Sequence, residues 1–198
     1  MSDITWLLDY CATLPEAKLK YIKSNMVQWK ASNASYLSEP KAGSRVGGWF
    51  FLSNKRDNPY QKPTKEPTPN GPIHVLAKII TPVMSSAMEA EVGAPFMTAR
   101  EACHIRVTLK ELGHPQPPTP MQVNNSTAAG FANSQIKHKR SKAINMCFHW
   151  VRDRTKQKQF YIYWTPGQSN VKADYVTKHH PPSHHKELQN ELFNTQHL

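Results

Sequence analysis

Ser85-Ser86-Ala87-Met88-Glu89-Ala90-Glu91 opens a stretch of helical composition that runs to Leu112 and sets two glutamates in its first turns. Three other short segments share its character. Ser32-Asn33-Ala34-Ser35 follows an alternating apolar run, Val123-Asn124-Asn125-Ser126 follows a short apolar one, and Ala173-Asp174-Tyr175-Val176 sits in a helix-like stretch near the end. Each stands at the end of a strand-like run or in the first turn of a helix-like one. Those are the places where a sheet-based fold gathers side chains from distant parts of a chain. Two of the four keep a carboxylate, and two carry Asn.

Upstream of the opening segment, residues 4–14 place Ile4, Leu7, Leu8 and Cys11 on a helical stripe that stops at Pro15. Residues 26–31 alternate, with Val27, Trp29 and Ala31 on one face, the period of a half-buried strand. A turn near Glu39-Pro40-Lys41-Ala42-Gly43 returns the chain as a second strand over 46–52, a hairpin. Residues 55–72 hold Pro59, Pro63, Pro67, Pro69 and Pro72 among Lys, Thr and Asn, a composition that predicts a mobile loop. A third strand, 73–83, ends at Pro82.

The helix over 85–112 has Ala99, Ala102, Cys103, Val107 and Leu109 as its apolar positions, and Gly113-His114-Pro115 as its stop. Gly93 and Pro95 fall near its front, so the expectation is a late start or a kink. Downstream come a Pro-rich linker over 115–120, a short strand over 121–123 and a helix over 126–136 capped by Ser126. A basic helix over 137–158 follows, with Ile144, Phe148 and Val151 inward, then a strand over 160–164 and a last helix over 170–178. With the two adjacent helices counted as one layer, the order is βββαβαβα around a mixed sheet.

The 198 residues suit one domain with extensions, and 38% hydrophobic residues can supply a modest core. A net charge of +11 favours an anionic partner, with nucleic acid leading. Cys11, Cys103 and Cys147 are far apart with no CxxC pair, so neither a disulfide framework nor a zinc site is indicated and a reducing compartment fits best. No apolar stretch approaches the ~20 residues that span a bilayer, the N-terminus lacks a secretory pattern, and no repeat is visible. The expectation is a soluble, intracellular protein without membrane insertion.

Taken with Lys139-Arg140-Ser141-Lys142, these segments resemble the RNase H domain of copia-type LTR-retrotransposon Pol polyproteins, over roughly residues 7–180. The resemblance rests on Ser85 to Glu91, Asn125-Ser126-Thr127-Ala128 and Ala173-Asp174-Tyr175-Val176-Thr177-Lys178. It implies an α/β fold, an RNase H-like mixed five-stranded sheet with flanking helices. It also implies Mg²⁺-dependent endonuclease cleavage of the RNA strand of RNA/DNA hybrids, with Asn33, Glu91, Asn124 and Asp174 at the four catalytic positions and Glu91 and Asp174 left to hold metal. By the same resemblance, 1–25 is the end of the reverse transcriptase connection, 26–180 the RNase H-like domain with its 55–72 loop, and 181–198 a C-terminal tail.

Asn33 and Asn124 depart from the family, which has Asp at both places. Two Mg²⁺ ions about 3.5 to 4 Å apart activate the attacking water and stabilise the leaving oxygen, and they need hard anionic oxygens. An amide oxygen is a poor substitute, so the expectation is an impaired enzyme, a pseudoenzyme. The rival expectation is a domesticated, non-catalytic nucleic-acid-binding or scaffold subunit with a protein partner in a larger assembly.

Taken singly, the residues have plainer readings. Glu89 and Glu91 suit a solvated helix face, Asp174 suits pairing with Lys172 or Lys178, and Asn33 and Asn124 suit turns. Lys137, Lys139, Arg140, Lys142, Arg152 and Arg154 read equally as the outer face of a helix or as a track for the phosphates of RNA or of a hybrid. Trp150 and Trp164 read as core, Cys103-His104 as packing, and His179 to His185 as a solvated tail rather than a metal site.

Overall fold

The computed structural model describes residues 3–65, 67, 70–81, 84, 86–133 and 142–192, with backbone only for 3, 131–132, 142–145 and 190–192. Lys23–His179 form one unit, and the segments before and after it form another.

In the larger unit, β1 (Val27–Glu39), β2 (Gly43–Ser53) and β3 (Pro72–Ile80) make an antiparallel meander. The helix α2 (Ala87–Glu111) leads to β4 (Thr119–Val123), which pairs parallel with β1, and β5 (Phe160–Trp164) pairs parallel with β4. The strand order is β3-β2-β1-β4-β5, a mixed five-stranded sheet with flanking helices. Between β4 and β5 lie α3 (Ser126–Ala132) and α4 (Lys142–Lys156), and α5 (Val171–Tyr175) follows β5. The core is built where α2 and α4 cover one sheet face, with Phe50, Ala99, Ala102, Met121, Val151, Phe160 and Ile162 packed together. The small Ala99 and Ala102 let α2 sit close to the large side chains that the strands project.

Strands and helices arise where the period predicts them, and the differences have local causes. The first hairpin extends well beyond 26–31 and 46–52, because β1 and β2 stay in register from Val27↔Ser53 to Ser35↔Arg45. Pro95 does not end α2: the helix runs through it with the ring buried. Pro95 lines one crevice with Val92, Ala128, Phe148 and Val151, and that burial offsets a local penalty of about 3 kcal/mol.

Ser86 caps the front of α2, its side chain accepting from the Glu89 N–H at 3.2 Å. At the back, His114 N–H bonds to Leu109 O and Gly113 N–H to Lys110 O, a Schellman ending that needs the left-handed Gly113 (φ 86°). Val107 is exposed rather than inward.

The linker expected over 115–120 yields Thr119 and Pro120 to β4, and Pro120 precedes the first residue paired to β1, so its missing N–H leaves that ladder whole. Asn125, not Ser126, caps α3: its Oδ1 accepts from Ala128 N–H at 2.8 Å. The 55–72 loop is anchored in part. The Arg56 guanidinium donates to the carbonyls of Gln61, Pro59 and Pro118 and lies over the rings of Trp29 (5.7 Å) and Tyr161 (5.3 Å). Pro69, Pro82, Val83, Ser85, Ile136, Lys137, Lys139, Arg140 and Ser141 lie outside the described residues, and Lys142 and Ile144 are described by backbone alone.

In the smaller unit, α1 (Asp3–Thr13) and α6 (Pro182–Leu192) meet where Tyr10 OH bonds to Gln189 Nε2 and His185 Nε2, both at 3.0 Å. The stretch read as a tail therefore carries a helix, with Pro182 at its first position, where a missing N–H costs nothing. Ile4, Trp6, Leu7 and Leu8 on α1 are exposed. Among the described residues, no helix is long and apolar enough to cross a membrane.

Candidate functional site

Asn33 lies on the central strand β1, one residue past Ser32, which pairs with Val123 of β4. The two strands run parallel, so Asn33, still within β1, lies beside the point where the chain leaves β4 at Asn124. Opposite Asn33 on β2 is Gly47. A Cβ at Gly47 would stand 2.4 Å from Ala173 O and 2.5 Å from Thr177 Cγ2. Only glycine lets α5 close onto the hairpin, and that closure carries Asp174 to Asn33.

The contact is direct. Asn33, 2% exposed, donates from Nδ2 to Asp174 Oδ1 at 2.7 Å and to Thr177 Oγ1 at 3.4 Å. A carboxylate only accepts, so it selects the NH₂ end of the amide. The same Asp174 Oδ1 accepts from Lys178 Nζ at 2.6 Å, one turn on. Asn170, buried before α5, donates from Nδ2 to Ser32 O at 2.9 Å and fixes the start of that helix on β1. Sequence reasoning assigned no role to Asn170, Thr177 or Gly47. For Thr177 the Ala-Asp-x-x-Thr-Lys segment was the available signal.

Glu91 stands on the second turn of α2 and accepts through Oε2 from Asn125 Nδ2. Asn125 thereby ties α2 to α3 with one end of its amide while capping α3 with the other. Asn124, expected to face the carboxylates, contributes its backbone carbonyl to Trp164 Nε1 at 3.1 Å. The residue bonded to Glu91 is its neighbour, Asn125. Of the four predicted residues, Asn33 and Asp174 meet directly, whereas Glu91 pairs with the unpredicted Asn125.

As a holder of divalent cations, this donor set fits poorly. One oxygen of each carboxylate is already taken, Asp174 Oδ1 by an amide NH₂ and an ammonium and Glu91 Oε2 by an amide NH₂, and the amides at 33 and 124 bring no anionic oxygen. Among the described residues, no three His, Cys, Asp or Glu side chains gather as a metal-binding group.

The basic residues predicted to track phosphates divide. Arg152 is half-buried on α4. Arg154, in the last turn of α4, lies over the Trp150 ring at 5.0 Å and lines a groove with the back half of α2. Trp150 is half-buried and meets the Phe96 ring edge-on at 5.4 Å, whereas Trp164 is exposed rather than core. Below that groove is Lys30, 1% exposed, its Nζ 3.3 Å from Thr98 Oγ1 and 4.9 Å from the Phe160 ring centre. Burial, with a smaller push from Arg106, lowers the Lys30 ammonium pKa well below its ordinary value, against an opposing pull from Cys103.

No family model matches the chain. Solved structures of similar fold include an RNase H1, LC11, in complex with RNA/DNA hybrid, at TM-score 0.51 and 11% identity over 74% of this chain and 92% of that one. A foamy viral protease–reverse transcriptase in complex with dsDNA matches at 0.51 and 16%, over 77% and 92%. The N-terminal RNase H domain of a Mycobacterium tuberculosis protein matches at 0.50 and 11%, over 74% and 94%. At such identities the likeness establishes the fold, which is RNase H-like.

Proposed function

We propose that this chain is the RNase H-like domain of a retrotransposon Pol polyprotein of copia type, a nucleic-acid-binding domain whose hydrolytic chemistry is impaired. The observation that carries the reading is the 2.7 Å bond from Asn33, midway along the central strand, to Asp174. Two carboxylates at such a distance repel unless a cation lies between them. Here the neutral Asn33 amide brings no second negative charge and donates a hydrogen bond instead, and the Lys178 ammonium supplies the countercharge. Glu91 is met in the same way by Asn125.

The family expectation of Mg²⁺ held at Asn33, Glu91, Asn124 and Asp174, with cleavage of the RNA strand of a hybrid, therefore meets a donor set that fits neither ion well. What is retained is the fold and a +11 charge, which support binding of an RNA/DNA hybrid or RNA. The alternative, a domesticated scaffold subunit with a protein partner, draws on one observation: Ile4, Trp6, Leu7 and Leu8 on α1 are more than 60% exposed.

A labelled RNA/DNA hybrid incubated with Mg²⁺ or Mn²⁺ tests the proposal, using the natural chain beside Asn33→Asp/Asn124→Asp. Binding without cutting is expected from the natural chain. The double variant should lose thermal stability in chelator, regain it on adding Mg²⁺, and cut. Cleavage by the natural chain overturns the impaired reading, and a double variant blind to Mg²⁺ overturns the site assignment.

A further inference from the structure

The back half of α2, the end of α4 and the turn before β4 line an open groove of about 550 Å³. Among its lining residues are Arg100, Arg106, Lys110 and Arg154, and no Asp or Glu. None of these four cations forms an ion pair among the described residues. Arg106 is committed to structure: it donates to the carbonyls of Pro117 (2.7 Å) and Gln116 (3.1 Å) and to Thr119 Oγ1 (2.6 Å), so its charge is solvated by dipoles and met by no anion. Arg154 keeps a buried Nε–H without a partner among the described residues. Its guanidinium lies over the Trp150 ring, 5.0 Å from its centre, and the two planar groups line the groove together. Arg100 and Lys110 are exposed at the rim.

The groove is separate from the Asn33–Asp174 site. Arg106 comes fifteen residues after Glu91 on α2, about 22 Å along the axis at 1.5 Å per residue. Gln116 and Asn124 also lie beyond opposite ends of β4.

We propose that this groove binds a single-stranded nucleic acid, with phosphates held by Arg100, Lys110 and Arg154 and a base stacked on the Arg154–Trp150 wall. Guanidinium groups match phosphate geometry, and a guanidinium or indole face accepts any base without reading its sequence. The volume exceeds what one phosphate needs and is that of a ligand site. An acidic peptide would satisfy the charge but leave the two planar groups unused. The inference adds a second nucleic-acid contact to the function proposed above and stands on the groove alone.

Fluorescence anisotropy of a labelled twelve-residue oligothymidylate at several salt concentrations tests it. Arg100→Glu/Lys110→Glu, both at exposed positions, should weaken binding at least tenfold and flatten the log–log salt slope by about 1.4, two phosphate contacts at about 0.7 each. Trp150→Leu should weaken binding about tenfold with the slope unchanged. Arg154→Lys, which keeps the charge and loses the plane, should do the same to a smaller degree. The control Lys20→Glu/Lys78→Glu, with the same net charge change on exposed residues elsewhere, should stay within twofold.

Equal weakening by the control pair would mean that net charge alone is at work, and would overturn the site. Competition by a glutamate peptide as strong as by unlabelled oligonucleotide, or displacement by inorganic phosphate at the oligonucleotide's concentration, would overturn the strand assignment. Unchanged hybrid binding by the Arg100/Lys110 variant separates a failure here from a failure of the proposed function.

Discussion

Two buried polar regions flank the same strand and helix, and they solve charge in opposite ways. Beside Asn33 on β1 and beyond the end of β4, carboxylates on α5 and α2 are each met by an amide NH₂, so each has a donor within a hydrogen bond's length. Three residues back, Lys30 has a hydroxyl and aromatic faces around it, and Arg106 has carbonyls; no carboxylate is bonded to either among the described residues. The first region answers its carboxylates with donors and leaves two buried amide oxygens, Asn33 Oδ1 and Asn170 Oδ1, without a hydrogen-bond partner among the described residues. The second holds surplus positive charge, which a bound anion relieves.

The contrast can be broken most forcefully at Gly47. Gly47→Val sets a side chain into Ala173 O and Thr177 and pushes α5 off the hairpin, an overpacking expected to cost about 3 kcal/mol in urea unfolding. Near-native stability would mean that the Asn33–Asp174 pair is not held as described.

A smaller effect of opposite sign is expected from Lys30→Met, which removes a buried amine and keeps the packing. It should stabilise by about 1–2 kcal/mol at neutral pH. The pH dependence sharpens the test. The unfolded chain keeps an ordinary lysine near 10.4, and the folded one titrates well below 10.5. Between those values the unfolded state binds the extra proton, so natural-chain stability should rise with pH through that window. In Lys30→Met the rise should be lost, and a persisting rise would assign it to another group.

The smallest change is Asn125→Ala, which deletes the α3 cap and the donor to Glu91 and should cost about 1 kcal/mol. Added Mg²⁺ should not rescue it, because the amides at 33 and 124 remain. A Mg²⁺-dependent gain would show that Asn125 was all that kept a cation from Glu91.

Much of the fold was legible before any coordinates. The alternation in Val27, Trp29 and Ala31, the Gly113-His114-Pro115 stop and the short apolar run before Asn124 are local patterns, and each marks the element found there. The segments bearing Asn33 and Asp174 were legible too, and they meet across 141 residues. What escaped was anything decided by a neighbour remote in the chain. Pro95 counts as a breaker until its ring is seen buried against α3 and α4. Lys30 belongs by its alternation to the polar face of a strand, yet α2 covers that face. Asn124 and Asn125 are indistinguishable as a pair of turn residues until the direction in which the chain leaves β4 gives Glu91 to the second.

By itself, then, the sequence determined the order of strands and helices, the excess of cations and the two amides at positions where carboxylates were expected. These follow from periodicity and composition, which each segment carries alone. Tertiary structure alone decided which amide faces which carboxylate, that Gly47 must lack a side chain, and that Lys30 and Arg106 are buried without an anion. Hydrogen bonds and desolvation act over a few ångströms, and only the folded chain sets which residues come that close.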